Sequence, residues 1–292
     1  MRIDIKAAQH DRDWANMLAY AQDTDAAEAF TGFWLFDHFV PINGHVEGPC
    51  LDGWTLLGAL AAATRRVRLG LMVGCNEYRY PAVLAKIATT VDQVSNGRLD
   101  MGLGAGWFET EYKMYGIPFP LPAQRIRELD EACQILKLLW TQELADFDGR
   151  YYKLEAARHE PKPIQKPYPP IVIGGGGEKM TLRVVAKHAD IWNFGGGTPE
   201  EAARKSRILD EHCATIGRDP GTIMRSTQFY MKGPDEVGTL RERIEAYQAV
   251  GFSHVVVGVP TAYHQGLIEE IAKQIEPLVR AEPSNISNAG PQ

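Results

Sequence analysis

The chain has 292 residues, 45% hydrophobic and 23% charged, a balance that fits a soluble globular protein and a length that one α/β barrel accommodates. Its formal net charge of −6 argues against general nucleic-acid or anionic-membrane binding, and no apolar run approaches the ~20 residues of a membrane span. Cys50, Cys75, Cys133 and Cys213 are scattered without a Cys-x-x-Cys pair, and the charged start Met1–Ile5 lacks the apolar segment of a signal peptide. Reduced thiols in a cytoplasmic protein are therefore expected.

Strand-like and helix-like stretches alternate along the chain. A first strand is predicted at Arg2–Ala7 and a helix at Asp11–Ala29. Phe33–Phe36 reads as strand two, followed by an irregular segment, Asp37–Leu51, and a helix at Asp52–Ala63. Val67–Val73 reads as strand three. Pro81 is suited to the first turn of the next helix, which Asn96-Gly97 ends. Leu99–Gly104 is strand four, and a long amphipathic helix spans Ala123–Trp140. Strands five to eight follow at Ile171–Ile173, Ile191–Phe194, Thr222–Met231 and His254–Val259. Their helices fall at Lys179–His188, Pro199–Ile216, Asp235–Val250 and His264–Arg280. Strict alternation implies parallel strands with helical crossovers, and eight units close naturally into a (β/α)8 TIM barrel. Residues 37–51 and 145–170 are too long for plain connections and read as insertions. In the second, Asp146–Tyr152 has the look of a tight turn between extended segments. The Ser/Asn/Pro/Gly-rich residues 282–292 read as a disordered tail.

In such a barrel the reacting groups lie at the C-terminal ends of the strands. After strand two comes Asp37-His38, an acid–base pair or two groups satisfying local backbone. Strand three ends in Met72-Val73-Gly74-Cys75. Strand four runs into Gly104-Ala105-Gly106-Trp107-Phe108, a platform for a flat ring or a packed turn. After strand five, Gly174–Gly177 precede a helix, where free N–H groups can wrap a phosphate; Gly195–Gly197 are placed to widen that pocket. Trp107, Phe108, Tyr112, Tyr115 and Phe119 suggest an aromatic-lined cavity, or else half of them pack against the helix at 123–140. No metal-ligand spacing, Gly-x-Ser-x-Gly elbow or phosphate-loop motif is present.

Several segments in order carry a resemblance. They are Gly32–Phe39, Arg66–Gly70, Ser95–Leu99, Gly102–Trp107, and Gly174–Glu178 leading to Ala186–Asp190. Together they resemble the bacterial luciferase-like superfamily of flavin- and deazaflavin-dependent oxidoreductases, closest to members that use coenzyme F420. The resemblance implies that Asp37 contacts the deazaflavin ring edge and that His38 gives or takes a proton beside the hydride-transfer centre. It also implies a non-proline cis bond at Met72–Val73 behind the ring. Cofactor contacts would come from Cys75, Ala105, Gly106, Trp107 and Thr110, with phosphate contacts from Gly175, Gly176, Gly177, Lys179 and Met180. FMN is the alternative cofactor, in a monooxygenase served by a separate cofactor-reducing enzyme. A non-catalytic flavin-binding barrel is a third reading. A homodimer acting on a small molecule is expected. The sugar-phosphate dehydrogenases of this group carry a catalytic Glu where this chain has Trp107, and an aromatic where it has Ile42. That activity is therefore not expected here, and His38 lacks its usual partner.

Overall fold

The computed structural model describes residues 1–42 and 45–280; residues 282–292, read above as a tail, lie outside the described residues. Eight parallel strands close into a barrel. They are β1 (Arg2–Lys6), β2 (Gly32–Leu35), β3 (Arg68–Leu71), β5 (Leu99–Gly104), β8 (Ile171–Gly174), β9 (Ile191–Gly195), β10 (Met224–Tyr230) and β11 (His254–Gly258). Closure is made by β1 beside β11 and by β3 beside β5. The outer ring is α1 (Trp14–Ala26), α2 (Gly53–Ala63), α3 (Pro81–Ser95), α5 (Pro122–Thr141), α6 (Thr181–His188), α7 (Pro199–Thr215), α8 (Leu240–Gln248) and α9 (Leu267–Arg280).

Three local features depart from the sequence-based expectation. Strand three stops at Leu71 and resumes as a two-residue strand β4 (Gly74–Cys75); the Met72–Val73 peptide bond between the two pieces is cis, as the resemblance implied. The strand-four loop holds a short extra helix, α4 (Glu109–Met114). Pro234–Thr239 forms a 3-10 turn, so α8 begins at Leu240 and not at Asp235. The insertion at 145–170 contains an antiparallel hairpin, β6 (Ala145–Asp148) with β7 (Lys153–Ala157), on either side of the anticipated turn.

Strand alternation sorts the side chains into two layers. Ile3, Ile5, Phe33, Leu35, Leu69 and Leu71 are buried outward beneath the helices, each such side chain contributing about 1.5–3 kcal/mol. A smaller cluster of Trp34, Met72, Val172, Ile191 and Val256 fills the lumen, so the barrel is a packed core and not a pore. At its N-terminal end, buried Asp4 accepts hydrogen bonds from Thr31 Oγ1 (2.6 Å), Trp34 Nε1 (2.8 Å) and His254 Nε2 (2.9 Å). Arg2 and Arg68 both bind Asp100 there. That end is closed by paired charges, and the open end is the C-terminal one.

Helix ends follow the capping rules. Asp13, Asp52 and Thr198 accept from first-turn N–H groups of α1, α2 and α7. Asn96 ends α3 in the left-handed conformation (φ 56°).

Candidate active site

A cavity of about 760 Å³ opens at the C-terminal ends of the strands, within the range of small-molecule sites. Its walls bring together Asp37, His38, Met72, Val73, Cys75, Ala105, Gly106, Trp107 and Gly175, all anticipated from the sequence. Thr110, Gly176, Gly177, Lys179 and Met180 lie outside that lining, and Thr110 is exposed on the first turn of α4. Ile42 is in the wall. Of the five aromatics expected to line the cavity, Trp107 alone does so. Tyr112 is buried behind the wall in ring contact with Phe119 (4.6 Å) and Tyr78 (5.2 Å).

Asp37 is buried, and both of its oxygens are held. Arg79 Nη1 donates to Oδ1 (2.8 Å) and Oδ2 (2.9 Å), and the Cys75 N–H donates to Oδ2 (3.0 Å). Arg79 also grips Asp52, the N-cap of α2 (2.6 Å). Burial pushes the Asp37 carboxyl up, and the Arg79 charge pulls against it. Asp37 therefore ties the end of β2 to β4 through a clamped carboxylate.

His38 has a partner that the sequence did not disclose. Its Nδ1 lies 2.6 Å from Glu111 Oε2. Glu111, wholly buried on α4, accepts three more bonds: from Tyr78 Oη (2.6 Å), from the Val40 N–H (3.1 Å) and from the Phe39 N–H. Burial would raise this carboxyl, but the hydrogen bond from His38, its charge and the Tyr78 and Phe39 bonds hold it below the usual carboxylate range. An ionised carboxylate only accepts, so Nδ1 carries a proton and Nε2 is the nitrogen left for chemistry. Rings confine the imidazole, with Phe36 at 4.9 Å, Trp107 at 5.9 Å and Phe108 at 6.0 Å. Trp107, where the resemblance would place a Glu, is 63% exposed. The carboxylate instead comes from four residues further on. No local pattern marks it, because the helix that carries it is only six residues long.

The opposite wall is built of glycine. A Cβ on Gly104 or on Gly174 would lie 2.8 Å from a Val73 methyl, and one on Gly106 (φ +65°) would lie 1.8 Å from Tyr112 Oη. Behind Gly106, Cys75 Sγ and Tyr112 Oη are 2.9 Å apart, and Tyr112 donates to Glu77 Oε2 (3.0 Å). Burial lifts the Glu77 carboxyl to about 7 and the Cys75 thiol higher still, so this thiol is neutral near pH 7.

The glycine turn after β8 lies beside the cavity: Gly174, Gly175 and Thr181 line it. None of the Gly176, Gly177 and Glu178 N–H groups donates to a backbone carbonyl, which leaves donors in the turn ahead of α6. Lys205 braces the turn through the Gly176 carbonyl (2.8 Å). A glycine-walled slot, a hydrogen-bonding histidine and free N–H donors in the turn ahead of α6 fit a flavin-type ring with a phosphate tail. Gly195, Gln228 and Tyr230 form a common wall with a second cavity of about 620 Å³ beside α8.

Comparison with known proteins agrees with this architecture. A protein of Mycobacterium tuberculosis with no assigned activity is 31% identical over 214 residues, covering 72% of this chain and 70% of its own. The F420-dependent glucose-6-phosphate dehydrogenase of Kineococcus radiotolerans is 28% identical over 88% of this chain and 77% of its own. The FMNH2-dependent dimethylsulfone monooxygenase of Pseudomonas putida is 30% identical over 60% of this chain and 49% of its own. Among solved structures, an F420-dependent secondary alcohol dehydrogenase in complex with an F420–acetone adduct superposes with a TM-score of 0.84 at 21% identity, over 96% of this chain and 99% of that one, a likeness of fold. The model of the luciferase-like monooxygenase family matches residues 2–247, and the chain belongs to that family.

Proposed function

We propose that this protein is a coenzyme F420-dependent oxidoreductase that moves a hydride between the deazaflavin and a small organic substrate. The observation that carries the reading is the His38–Glu111 pair at the wall of a glycine-sided slot. Bound F420 would supply a two-electron hydride carrier. The protein's own part is proton management and position. Glu111 fixes the His38 tautomer, so Nε2 can take a proton from a substrate hydroxyl or, once protonated, return it to a carbonyl oxygen. Gly104, Gly106 and Gly174 keep the slot narrow, and the N–H groups from Gly176 to Glu178 are donors for a phosphate. Asp37, with both oxygens on Arg79, supports the site without exchanging protons.

The length of the Kineococcus match supports F420 over FMN. The Pseudomonas match sustains a second reading, a reduced-FMN monooxygenase with oxygen as co-substrate. Titration of the purified protein with oxidised F420 and with FMN separates them. We expect F420 to bind at micromolar concentration or below. Tight FMN binding without F420 binding, with oxygen uptake on reduced FMN, would overturn the proposal in favour of the second reading.

A further inference from the structure

Lys6 ends β1 at the floor of the cavity, where it is 3% exposed. Its Nζ donates to the Met72 carbonyl (2.8 Å) and to Gln228 Oε1 (2.9 Å), both neutral acceptors. Among the described residues it is in no ion pair. Asp37 in the cavity wall and Glu111 behind His38 are already committed, Asp37 to Arg79 and Glu111 to His38, Tyr78 and two backbone N–H groups. A neutral amide side chain would suffice to hold one carbonyl and one amide oxygen, so the charge exceeds what packing requires. A buried ammonium without a counter-charge is costly unless an anion arrives to pair with it.

A second observation lies in the same wall. His10 lines the cavity, is 7% exposed, and its Nδ1 is buried with no hydrogen-bond partner. Burial holds His10 below the ordinary imidazole value, so near neutral pH it is uncharged and offers one N–H and one lone pair. The Phe36 ring packs at 5.3 Å from His10 and 4.9 Å from His38, which sets the His10 side of the cavity apart from the proton-transfer histidine. The Tyr230 ring at 5.2 Å and the Phe36 ring at 6.0 Å from Lys6 Nζ are cation–π faces that ease its burial without supplying a counter-charge.

We propose that Lys6, with His10 and Gln228, forms an anion subsite that takes the carboxylate of a small, partly apolar carboxylic acid. A carboxylate there completes the coordination of Lys6 Nζ and gives His10 a partner. This deepens the oxidoreductase reading by naming a substrate class, and it rests on that reading only for the word substrate; the test below needs neither cofactor nor turnover.

Benzoate and its neutral analogue benzamide are titrated into the cofactor-free protein and followed by ligand-observed NMR. Saturable benzoate binding is expected, with benzamide at least ten-fold weaker. Lys6→Met should bring the two ligands to within two-fold of each other. Lys6→Arg should keep most of the preference, and His10→Ala should weaken benzoate several-fold. Circular dichroism and thermal melts establish that each variant folds. Where Lys6→Met does not fold, the wild-type comparison still decides, because equal binding of benzoate and benzamide overturns the proposal. Arg125, also in the cavity wall and without a carboxylate partner among the described residues, provides the internal rival. Preference lost in Arg125→Gln and kept in Lys6→Met would move the anion away from Lys6 and refute the assignment. So would Lys6→Met weakening F420 or FMN while leaving benzoate untouched, since the charge would then serve the ring. Failure to bind either cofactor would defeat the functional reading and leave the benzoate result standing.

Discussion

Glu111→Gln isolates what one charge does for His38. Glu111 Oε1 accepts two backbone N–H groups, from Phe39 and Val40, and Oε2 accepts from His38 and Tyr78. In the variant the amide oxygen has to face the two backbone donors. The reverse orientation would leave two buried N–H groups opposed, at about 1–3 kcal/mol each. The NH2 then points at His38, Nδ1 becomes an acceptor, and the ring proton moves to Nε2. The reacting nitrogen loses its lone pair to the wrong tautomer. Loss of general-base function costs about 10²–10⁴ in rate, and the Asp→Asn change in a serine-protease triad, which acts through the same tautomer error, drops kcat by about 10⁴. Stability should fall by about 1–3 kcal/mol, because hydrogen bonds to an ionised acceptor become neutral ones. The sign with pH follows from the lowered Glu111 value. Its contribution is present above the unfolded carboxyl value of about 4.3 and fades as pH falls through the lower folded one, so the difference between wild type and variant narrows only in acid below the ordinary carboxyl range. Nitrogen-15 correlation spectra of the imidazoles report the tautomer directly, urea melts at several pH values report stability, and turnover reports rate. A variant that keeps the proton on Nδ1, or retains kcat within three-fold, refutes the reasoning.

Two further perturbations address the wall behind the slot. Glu77, lifted to about 7 by burial, favours the folded state below about pH 4.3, and that contribution is lost as pH rises through about 7. Glu77→Gln should therefore raise Tm relative to wild type at pH 8 and leave it unchanged at pH 4; a pH-independent difference in melting would count against a buried, ionising carboxyl. Gly106→Ala places a Cβ 1.8 Å from Tyr112 Oη at a φ of +65°. It should cost about 2–4 kcal/mol, read as a lower urea midpoint at constant slope, and an unchanged midpoint would refute the packing.

The barrel was legible because alternation is a local property: each strand and each capped helix can be read from a few consecutive residues. The mouths of strands two to five followed from the fold rule. What escaped the sequence depends on distance along the chain. The Asp37–Arg79 clamp spans 42 residues and the His38–Glu111 pair spans 73, and neither segment carries a mark of the other. Glu111 was hidden further by the short α4, whose six residues are too few for a helical period to stand out among Trp107, Phe108 and Tyr112. Lys6 read as an ordinary strand residue because alternation says which way it points but not that it lacks a counter-charge. Tyr112 and Phe119 were placed in the cavity by composition, whereas their packing on each other put them behind it.

The interruption of the third strand has a consequence for chain length. Gly70 pairs with Asp100 and Gly74 with Leu103, so four steps on one strand match three on its neighbour. Parity inverts across the slip: before it even-numbered residues face the lumen, and beyond it Val73 and Cys75 face the slot. Deleting one residue between Leu71 and Gly74 would restore the regular ladder, but it would remove either the Met72 carbonyl that holds Lys6 or the Val73 side chain in the slot wall. Adding one would displace Gly74 from Gly102. This stretch is therefore one where insertions and deletions should be forbidden even while its side chains vary.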